Sequence, residues 1–324
     1  MNQNRLQLLA AFVLGALLPS LLFRLVMPQR AAQSVPDETL PTTQQTEPAI
    51  RQVLIPVLSE EGLRMMDLEE YVVCVVLAEM YASFEEAALQ AQAVAARTYA
   101  MKRCEEGSRH EQGAVCTDSG CCQAYISRED YLLGRGTQED VDKVAQCVQD
   151  TRGWVLYWQG EFAECTYFSC SGGRTEDAVA VWGSEIPYLQ SVNSPGEEQS
   201  GSYSRSVYMS RTQLQEKLGC TLSGQPGDWL GMVTYTEGGG VSTMVFAGRS
   251  YSGVTLRKLL GLSSTAFTMV AEEDGITIQT KGKGHRVGMS QYGAHAMAGQ
   301  GHTWQEILQH YYPGTEIDKL DAVE

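Results

Sequence analysis

The sequence predicts an α+β fold, with a mostly helical lobe, antiparallel strands and a single N-terminal transmembrane helix. Capping-box pairs that begin at Asp67, Ser83 and Thr303 mark three helix starts. Between positions 148 and 181, apolar and polar residues alternate, which is typical of strands. Because helices and hairpins are segregated along the chain, an α+β architecture is favoured over a doubly wound sheet.

The N-terminal segment, residues 1–27, is predicted to be a signal anchor. The run from Leu6 to Phe23 is apolar over about the length that spans a bilayer, and Arg24 and Arg30 follow it. A cleaved signal peptide is the alternative, and both interpretations place the rest of the chain outside the cytoplasm. Residues 28–50, rich in Pro, Thr and Gln, predict a flexible linker.

Residues 51–324 are expected to form an extracytoplasmic catalytic domain of two lobes. The first helix begins after Asp67 and places Leu68, Tyr71, Val72, Val75 and Glu79 on one stripe. The second, from about 84 to 106, carries so many small side chains that other elements can approach it closely, which predicts a central buried helix.

Strands are expected on either side of the turn at Gln159-Gly160, and a second group from 229 to 278 follows a helix over 210–218. The net charge of −15 argues against nucleic acid and against an anionic membrane surface as the main partner. Residues 275–305 contain no Asp or Glu but carry basic side chains, so an anionic ligand could bind there. A glycine-rich surface loop with incidental lysines is the alternative.

Glu79 is a candidate general acid because it ends an apolar stripe between two predicted helices. Burial disfavours the charged carboxylate and raises its pKa, which suits a group that donates a proton to a leaving glycosidic oxygen. The alternative is a glutamate that points into solvent or pairs with Arg97.

A zinc site is predicted at His110, Cys116 and Cys122, because imidazole and thiolate are the usual zinc donors and the surrounding segment is loop-like. A disulfide between Cys116 and either Cys121 or Cys122 is the rival, and free thiols are a third possibility. The total of nine cysteines is odd, so at least one lies outside any intramolecular bridge.

Two glycine-containing segments, 169–175 and 284–294, combine hydroxyl, amide, imidazole and aromatic side chains that suit sugar recognition. The first segment could instead be an ordinary tight turn. The substrate-binding candidates are Arg97, Ser169, Ser171, Gly172, Gly173, His285, Ser290, Gln291 and Tyr292.

Several motifs together resemble the stage II sporulation protein D family, over most of residues 51–318. They are Glu70-Tyr71-Val72 with Ala78-Glu79-Met80, then Ala91-Gln92-Ala93-Val94-Ala95-Ala96-Arg97-Thr98-Tyr99, Ser171-Gly172-Gly173-Arg174-Thr175, Val287-Gly288-Met289-Ser290-Gln291-Tyr292-Gly293-Ala294 and Tyr311-Tyr312-Pro313-Gly314.

The resemblance implies a membrane-anchored lytic transglycosylase that cuts peptidoglycan glycan strands stripped of stem peptides during forespore engulfment. It implies that Glu79 is the catalytic residue and that His110, Cys116 and Cys122 hold a structural zinc. It also implies a single-pass protein of the cell membrane, with its catalytic domain between the mother-cell and forespore membranes. The expected partners are glycan strands, a cell-wall amidase and a membrane scaffold.

In the expected mechanism Glu79 protonates the leaving oxygen and then removes a proton from the C6 hydroxyl of N-acetylmuramic acid. A non-catalytic glycan-binding protein that activates an amidase is the alternative function. A zinc hydrolase centred on His110, Cys116 and Cys122 is a third hypothesis.

Overall fold

The computed structural model describes residues 52–106, 108–134 and 136–320, and within them it has nine α-helices. The helices are α1 (Leu68–Glu79), α2 (Glu86–Glu105), α3 (Arg128–Gly134), α4 (Gln138–Asp150), α5 (Ala178–Trp182), α6 (Arg211–Leu218), α7 (Gly253–Leu260), α8 (Gln291–Gly299) and α9 (Trp304–Tyr311).

The same residues carry fourteen strands, arranged in five small sheets. The strands are β1 (Leu54–Ser59), β2 (Gly62–Asp67), β3 (Val115–Cys116), β4 (Trp154–Trp158), β5 (Glu161–Phe162), β6 (Tyr167–Phe168), β7 (Ser204–Ser210), β8 (Leu230–Tyr235), β9 (Val241–Phe246), β10 (Arg249–Ser252), β11 (Ala266–Ala271), β12 (Gly275–Lys281), β13 (Met289–Ser290) and β14 (Glu316–Lys319). The sheet orders are β2-β1-β3, β14-β4-β5, β13-β6, β11-β12-β7 and β10-β9-β8.

The predicted fold class, a mostly helical lobe behind a transmembrane helix, is wrong. The described residues form a mixed α/β structure in which two strand pairs, β1 with β3 and β6 with β13, are parallel. Sequence reasoning missed β3 and β13, which have only two residues each, whereas an alternating pattern needs four or more residues to be recognised. It also assigned no strand to the longer segments β1, β2 and β7. The segment of β6 was expected to be a strand, but its parallel partner was not foreseen.

The prediction of a single-pass membrane protein is corrected as well. No helix in the described part of the chain is long and apolar enough to cross a membrane. The longest, α2, has 20 residues but includes Arg97, Lys102 and Arg103, and its middle is buried inside the fold. The segment on which the anchor prediction fell, 1–27, and the linker, 28–50, lie outside the described residues.

Local signals placed most helix starts correctly. Asp67 caps α1 by accepting hydrogen bonds from the amides of Glu69 and Glu70, and Thr303 forms a complete capping box for α9. The predicted start at Ser83 is wrong, since α2 begins at Glu86 without a side-chain cap. The predicted hairpin is confirmed: Gln159 and Gly160 both have positive φ, as a two-residue turn between β4 and β5 requires.

Two separate hydrophobic cores lie in the described residues. The first surrounds α2, whose alanines and Val94 are buried and let α1, α4, α8, α9 and β4 pack directly against it. The second lies among β7, β9, β11 and β12 and is closed by α6 and α7. The central buried helix predicted from the small side chains is therefore confirmed as α2. The division of residues 51–324 into two lobes stays a prediction.

Candidate active site

A cavity of about 610 Å³ opens at the C-terminal end of α1. One part of its wall comes from the end of α1 and the turn that follows, and the rest comes from segments far away in the chain. The lining residues are Leu77, Ala78, Glu79, Met80, Tyr81, Phe84, Tyr131, Ser169, Ser202, Lys283, Gln291 and Tyr292.

Glu79 lines this cavity as the last residue of α1, with its side chain half-buried. Its Oε1 accepts a hydrogen bond of 3.2 Å from the amide of Ala124, and its Oε2 accepts one of 3.0 Å from Nε2 of Gln291. Desolvation raises the pKa of Glu79, and the two hydrogen bonds, which stabilise the carboxylate, oppose that rise without cancelling it. A group poised in this way can donate a proton and afterwards accept one.

The proposed alternative pairing of Glu79 with Arg97 does not occur. Arg97 is fully buried on α2, where its guanidinium pairs with Glu69 at 2.6 Å and donates to the carbonyl oxygens of Trp154 and Val148. Arg97 does not line the cavity. Its donors are directed into the core, where they join α1, α2 and the start of β4.

The segment 169–173 divides into a residue at the cavity and residues behind it. Ser169 lines the cavity, whereas Ser171, Gly172 and Gly173 direct their backbone amides at the buried carboxylate of Glu197. Gly172 has φ +76°, and a Cβ there would lie 2.7 Å from the amide nitrogen of Gly282. The glycine therefore permits a close approach of two segments of this chain.

The segment 284–294 contributes Gln291 and Tyr292 to the cavity. Ser290 is buried behind them, caps α8 and donates its hydroxyl to Glu197. The ring of Tyr292 meets that of Phe84 edge to face, with centroids 5.1 Å apart.

His285 lies outside the cavity lining, with its ring close to those of Phe168 and Trp182. Burial lowers the pKa of His285 to about 4, so the imidazole is neutral at physiological pH. It adds no positive charge to the cavity.

The predicted basic surface is reduced to one side chain at the cavity. Lys283 lines it, whereas Lys281 is exposed on β12 and is not part of the lining. Arg286 is buried, where its guanidinium pairs with Glu176 at 3.1 Å and donates to the carbonyl oxygens of Ser171, Arg174 and Gly238. Its charge is therefore not available to a ligand.

Sequence reasoning missed several residues of the cavity. Phe84, Tyr81 and Tyr131 give it aromatic walls, and Ser202 adds a hydroxyl. The buried carboxylate of Glu197, close behind the wall, was missed because it lies in an irregular loop with no periodicity. For Phe84 a signal existed, since it stands at the predicted start of the small-residue helix and close in sequence to Glu79.

A four-residue group that could hold a metal ion forms away from this cavity. One ligand atom from each of His110, Cys116, Cys121 and Cys122 lies within 4.8 Å of all the others. The Sγ atoms of Cys121 and Cys122 are 3.4 and 3.7 Å from Nε2 of His110. Tetrahedral zinc with bonds of about 2.3 Å to sulfur separates its ligands by about 3.8 Å, so three thiols and one imidazole fit that ion.

The sequence prediction of three zinc ligands omitted Cys121, which the structure places among the other three. All nine cysteines are free thiols in this structure. A closed set of four protein ligands is typical of a structural zinc site, because no position remains for a water nucleophile.

Comparison with known proteins identifies the family of this chain. The family model described as "Stage II sporulation protein" matches residues 60–158. Stage II sporulation protein D of Bacillus amyloliquefaciens is 38% identical over 293 residues, which cover 88% of this chain and 85% of that protein. The protein of the same name from Bacillus subtilis (strain 168) is 39% identical over 277 residues, 83% and 80% of the two chains.

The chain belongs to the stage II sporulation protein D family, which confirms the resemblance found in the sequence motifs. A more distant similarity is to an amidase enhancer of Bacillus subtilis (strain 168), 28% identical over 298 residues. That match covers 74% of this chain and 39% of the enhancer.

Proposed function

We propose that this protein is a lytic transglycosylase that cleaves peptidoglycan glycan strands during engulfment, with Glu79 as both acid and base. One observation carries the proposal: among the described residues that line the cavity, Glu79 is the one carboxylate, and burial raises its pKa. Hydrolases that flank the bond with two carboxyl groups need a second one in the same cleft.

The reaction needs only one carboxyl group because the substrate supplies the nucleophile. Glu79 in its acid form protonates the oxygen that leaves C1 of N-acetylmuramic acid, and the C1–oxygen bond breaks. The C6 hydroxyl of the same sugar then bonds to C1 and gives its proton to the Glu79 carboxylate. The products are a 1,6-anhydro end and a new free hydroxyl, and the acid is regenerated.

Gln291 and Lys283, which also line the cavity, support this assignment. The side-chain amide of Gln291 donates to Oε2 of Glu79, and the backbone amide of Ala124 donates to Oε1. The carboxyl group therefore has a fixed orientation in the cavity. Glycan without stem peptides carries the lactyl carboxylate of each muramic acid, and the ammonium of Lys283 is a suitable counter-charge. Tyr81, which is exposed, and Tyr292 provide aromatic surfaces in the cavity against which sugar rings can pack.

Zinc has no step in this mechanism. The four ligands His110, Cys116, Cys121 and Cys122 would hold the ion in a closed site, where it would stabilise the loop that precedes α3. Ala124, whose amide binds Glu79, follows Cys122 by two residues, so an ordered loop would also support the position of that amide.

The assignment is tested by product analysis with Glu79→Gln. Removal of a positioned proton donor costs about 100- to 10,000-fold in rate, and binding of glycan should be retained. Purified wild-type protein on peptide-free glycan strands should give 1,6-anhydro ends by mass spectrometry. Glu85→Gln is the matched control, since this exposed glutamate is six residues away and outside the cavity lining. Normal activity of Glu79→Gln would contradict the assignment.

A second function, activation of a cell-wall amidase by glycan binding, is favoured by the similarity to the amidase enhancer. The same assay separates the two functions, because a binding protein leaves the glycan strands intact. New reducing ends without anhydro sugars would instead indicate hydrolysis. An amidase is a natural partner in either case, since it removes the stem peptides that would otherwise fill the space beside the strand.

A further inference from the structure

Glu197 is a buried carboxylate just behind the wall of the cavity, with 1% of its surface exposed. Its Oε1 accepts a hydrogen bond of 3.2 Å from the amide of Ser171, and its Oε2 accepts bonds of 2.8 and 3.2 Å from those of Gly172 and Gly173. Three consecutive amides directed at one carboxylate hold it in a single orientation, since each bond to a charged acceptor is stronger than a neutral one.

Hydroxyl groups complete the surroundings of Glu197. Ser171 and Ser194 donate to it at 2.7 and 2.9 Å, and Ser290 donates through a short hydrogen bond. The hydroxyl of Ser194 also contacts that of Tyr311 at 2.6 Å. These bonds join the segment after β6 to the start of α8 and to α9, although that segment is far from both helices in the sequence.

Ser290 links this network to the reacting group. Its Oγ accepts a hydrogen bond of 3.2 Å from the amide of Gly293 and so caps α8. The next residue, Gln291, directs its amide at Glu79. The hydroxyl that Glu197 holds is therefore one residue away from the group that contacts the catalytic carboxyl.

Other parts of the cavity wall depend on the same carboxylate. The backbone of Cys170 pairs with that of Lys283 through hydrogen bonds of 3.1 and 2.7 Å, immediately before the amides that bind Glu197. The Sγ of Cys170 lies 3.5 Å from Oε2 of Glu197. Ser169 and Lys283, both in the lining, are thus held within one or two residues of the Glu197 network.

We propose that Glu197 is a positioning residue for glycan cleavage. It fixes Ser290 and the start of α8, so that the side-chain amide of Gln291 keeps its hydrogen bond to Glu79. This inference rests on the proposed function, because it assigns a role to Glu197 through Glu79.

The test is Glu197→Gln in the full chain, assayed on peptide-free glycan strands over a range of pH. In this variant the side-chain NH2 group would face the amides and hydroxyls that now donate to Glu197. Donors facing a donor repel one another, so the start of α8 should shift. A misplacement of about 1 Å costs on the order of 100-fold in kcat, and KM should change much less. Loss of the Gln291 hydrogen bond raises the pKa of Glu79 further, so the fall of activity at high pH should move to higher pH.

Glu69→Gln is the matched control, because the Glu69 side chain is only 14% exposed, and its partners, Arg97 and the amide of Gly153, neither line the cavity nor bind Glu197. It should lower thermal stability and leave the pH profile in place. If Glu197→Gln does not fold, Ser290→Ala decides, since it removes one donor and the cap and should produce the same shift.

An unshifted pH profile in the variant that folds, or the same shift in Glu69→Gln, overturns the positioning role. The proposed function fails on a different result, which is full activity of Glu79→Gln. The positioning role can therefore fail while the proposed function stands, and the two failures give different results.

Discussion

The side-chain amide of Gln291 lies 3.0 Å from Oε2 of Glu79, although 212 positions separate the two residues in the chain. This bond favours the charged form of a carboxyl group whose burial favours the neutral form. The balance of these two effects sets the pH range in which Glu79 can donate a proton.

Replacement of Gln291 by methionine keeps the length of the side chain and removes the donor. The pKa of Glu79 should rise, because only the amide of Ala124 would still stabilise the carboxylate. An acid catalyst is active below its pKa, so the decline of kcat/KM at high pH should move to higher pH. Gln309→Met, on α9 and outside the cavity lining, is the control. Identical profiles for wild type and Gln291→Met would contradict the role of this bond.

Replacement of Lys283 by glutamine should weaken the binding of glycan that carries lactyl carboxylates. One partly solvated charge pair contributes up to about 1 kcal/mol, so KM should rise by about fivefold or less. Added salt should also raise the KM of the wild type, because it screens this charge pair. The rise with salt should be smaller in the variant.

Lys281→Gln is a closely matched control for this experiment, since it removes the same charge two residues away, outside the cavity lining. Equal effects of the two substitutions would show that net charge, and not a contact in the cavity, governs binding.

Replacement of Arg97 by alanine should affect stability much more than glycan binding. The guanidinium is fully buried and holds Glu69 at 2.6 Å, and breaking such a pair costs about 3–5 kcal/mol of the free energy of unfolding. Arg128→Ala is the comparison, because its pair with Glu70 is more than a third exposed and should cost about 1 kcal/mol or less. Denaturant unfolding measures both. A stable Arg97→Ala with weakened glycan binding would restore Arg97 as a substrate-binding residue.

The four-ligand group predicts about one zinc ion per chain, measured by atomic emission on purified protein. Cys121→Ser should lose zinc as Cys122→Ser does, because both thiols lie within reach of His110. Cys104→Ser removes a half-buried thiol that is not in the group and should keep the metal. Full zinc content in Cys121→Ser would favour the three-ligand set of His110, Cys116 and Cys122.

Local signals in the sequence predicted local structure well. Asp67 and Thr303 cap helices because a short side chain with an acceptor satisfies amides two or three residues away, and no distant residue is needed. The position of Glu79 at the end of α1 followed from the same kind of evidence, a helical stripe that ends before the next predicted helix.

Features that depend on distant partners could not be predicted in this way. No local pattern shows that Arg97 pairs with Glu69, that Glu197 collects three amides, or that Tyr167 lies beside Met289 in a parallel pair. Cys121 and Cys122 are adjacent, so spacing alone could not show that both reach His110. The expectation of a mostly helical lobe was wrong for two reasons. The two-residue strands β3 and β13 exist only through their pairing partners, and the longer strands β1, β2 and β7 were not assigned from their sequence patterns.

The parallel pair of β6 and β13 has a consequence for biosynthesis. Translation produces α1 and Glu79 early, but the strand that leads into Gln291 emerges only near the end of the chain. Until then Glu79 lacks its hydrogen bond from Gln291 and part of the cavity lining. Forming a contact between residues so far apart in sequence is slow for a folding chain. Under the proposed function, polypeptides that end before Gln291 are therefore expected to be inactive on glycan strands.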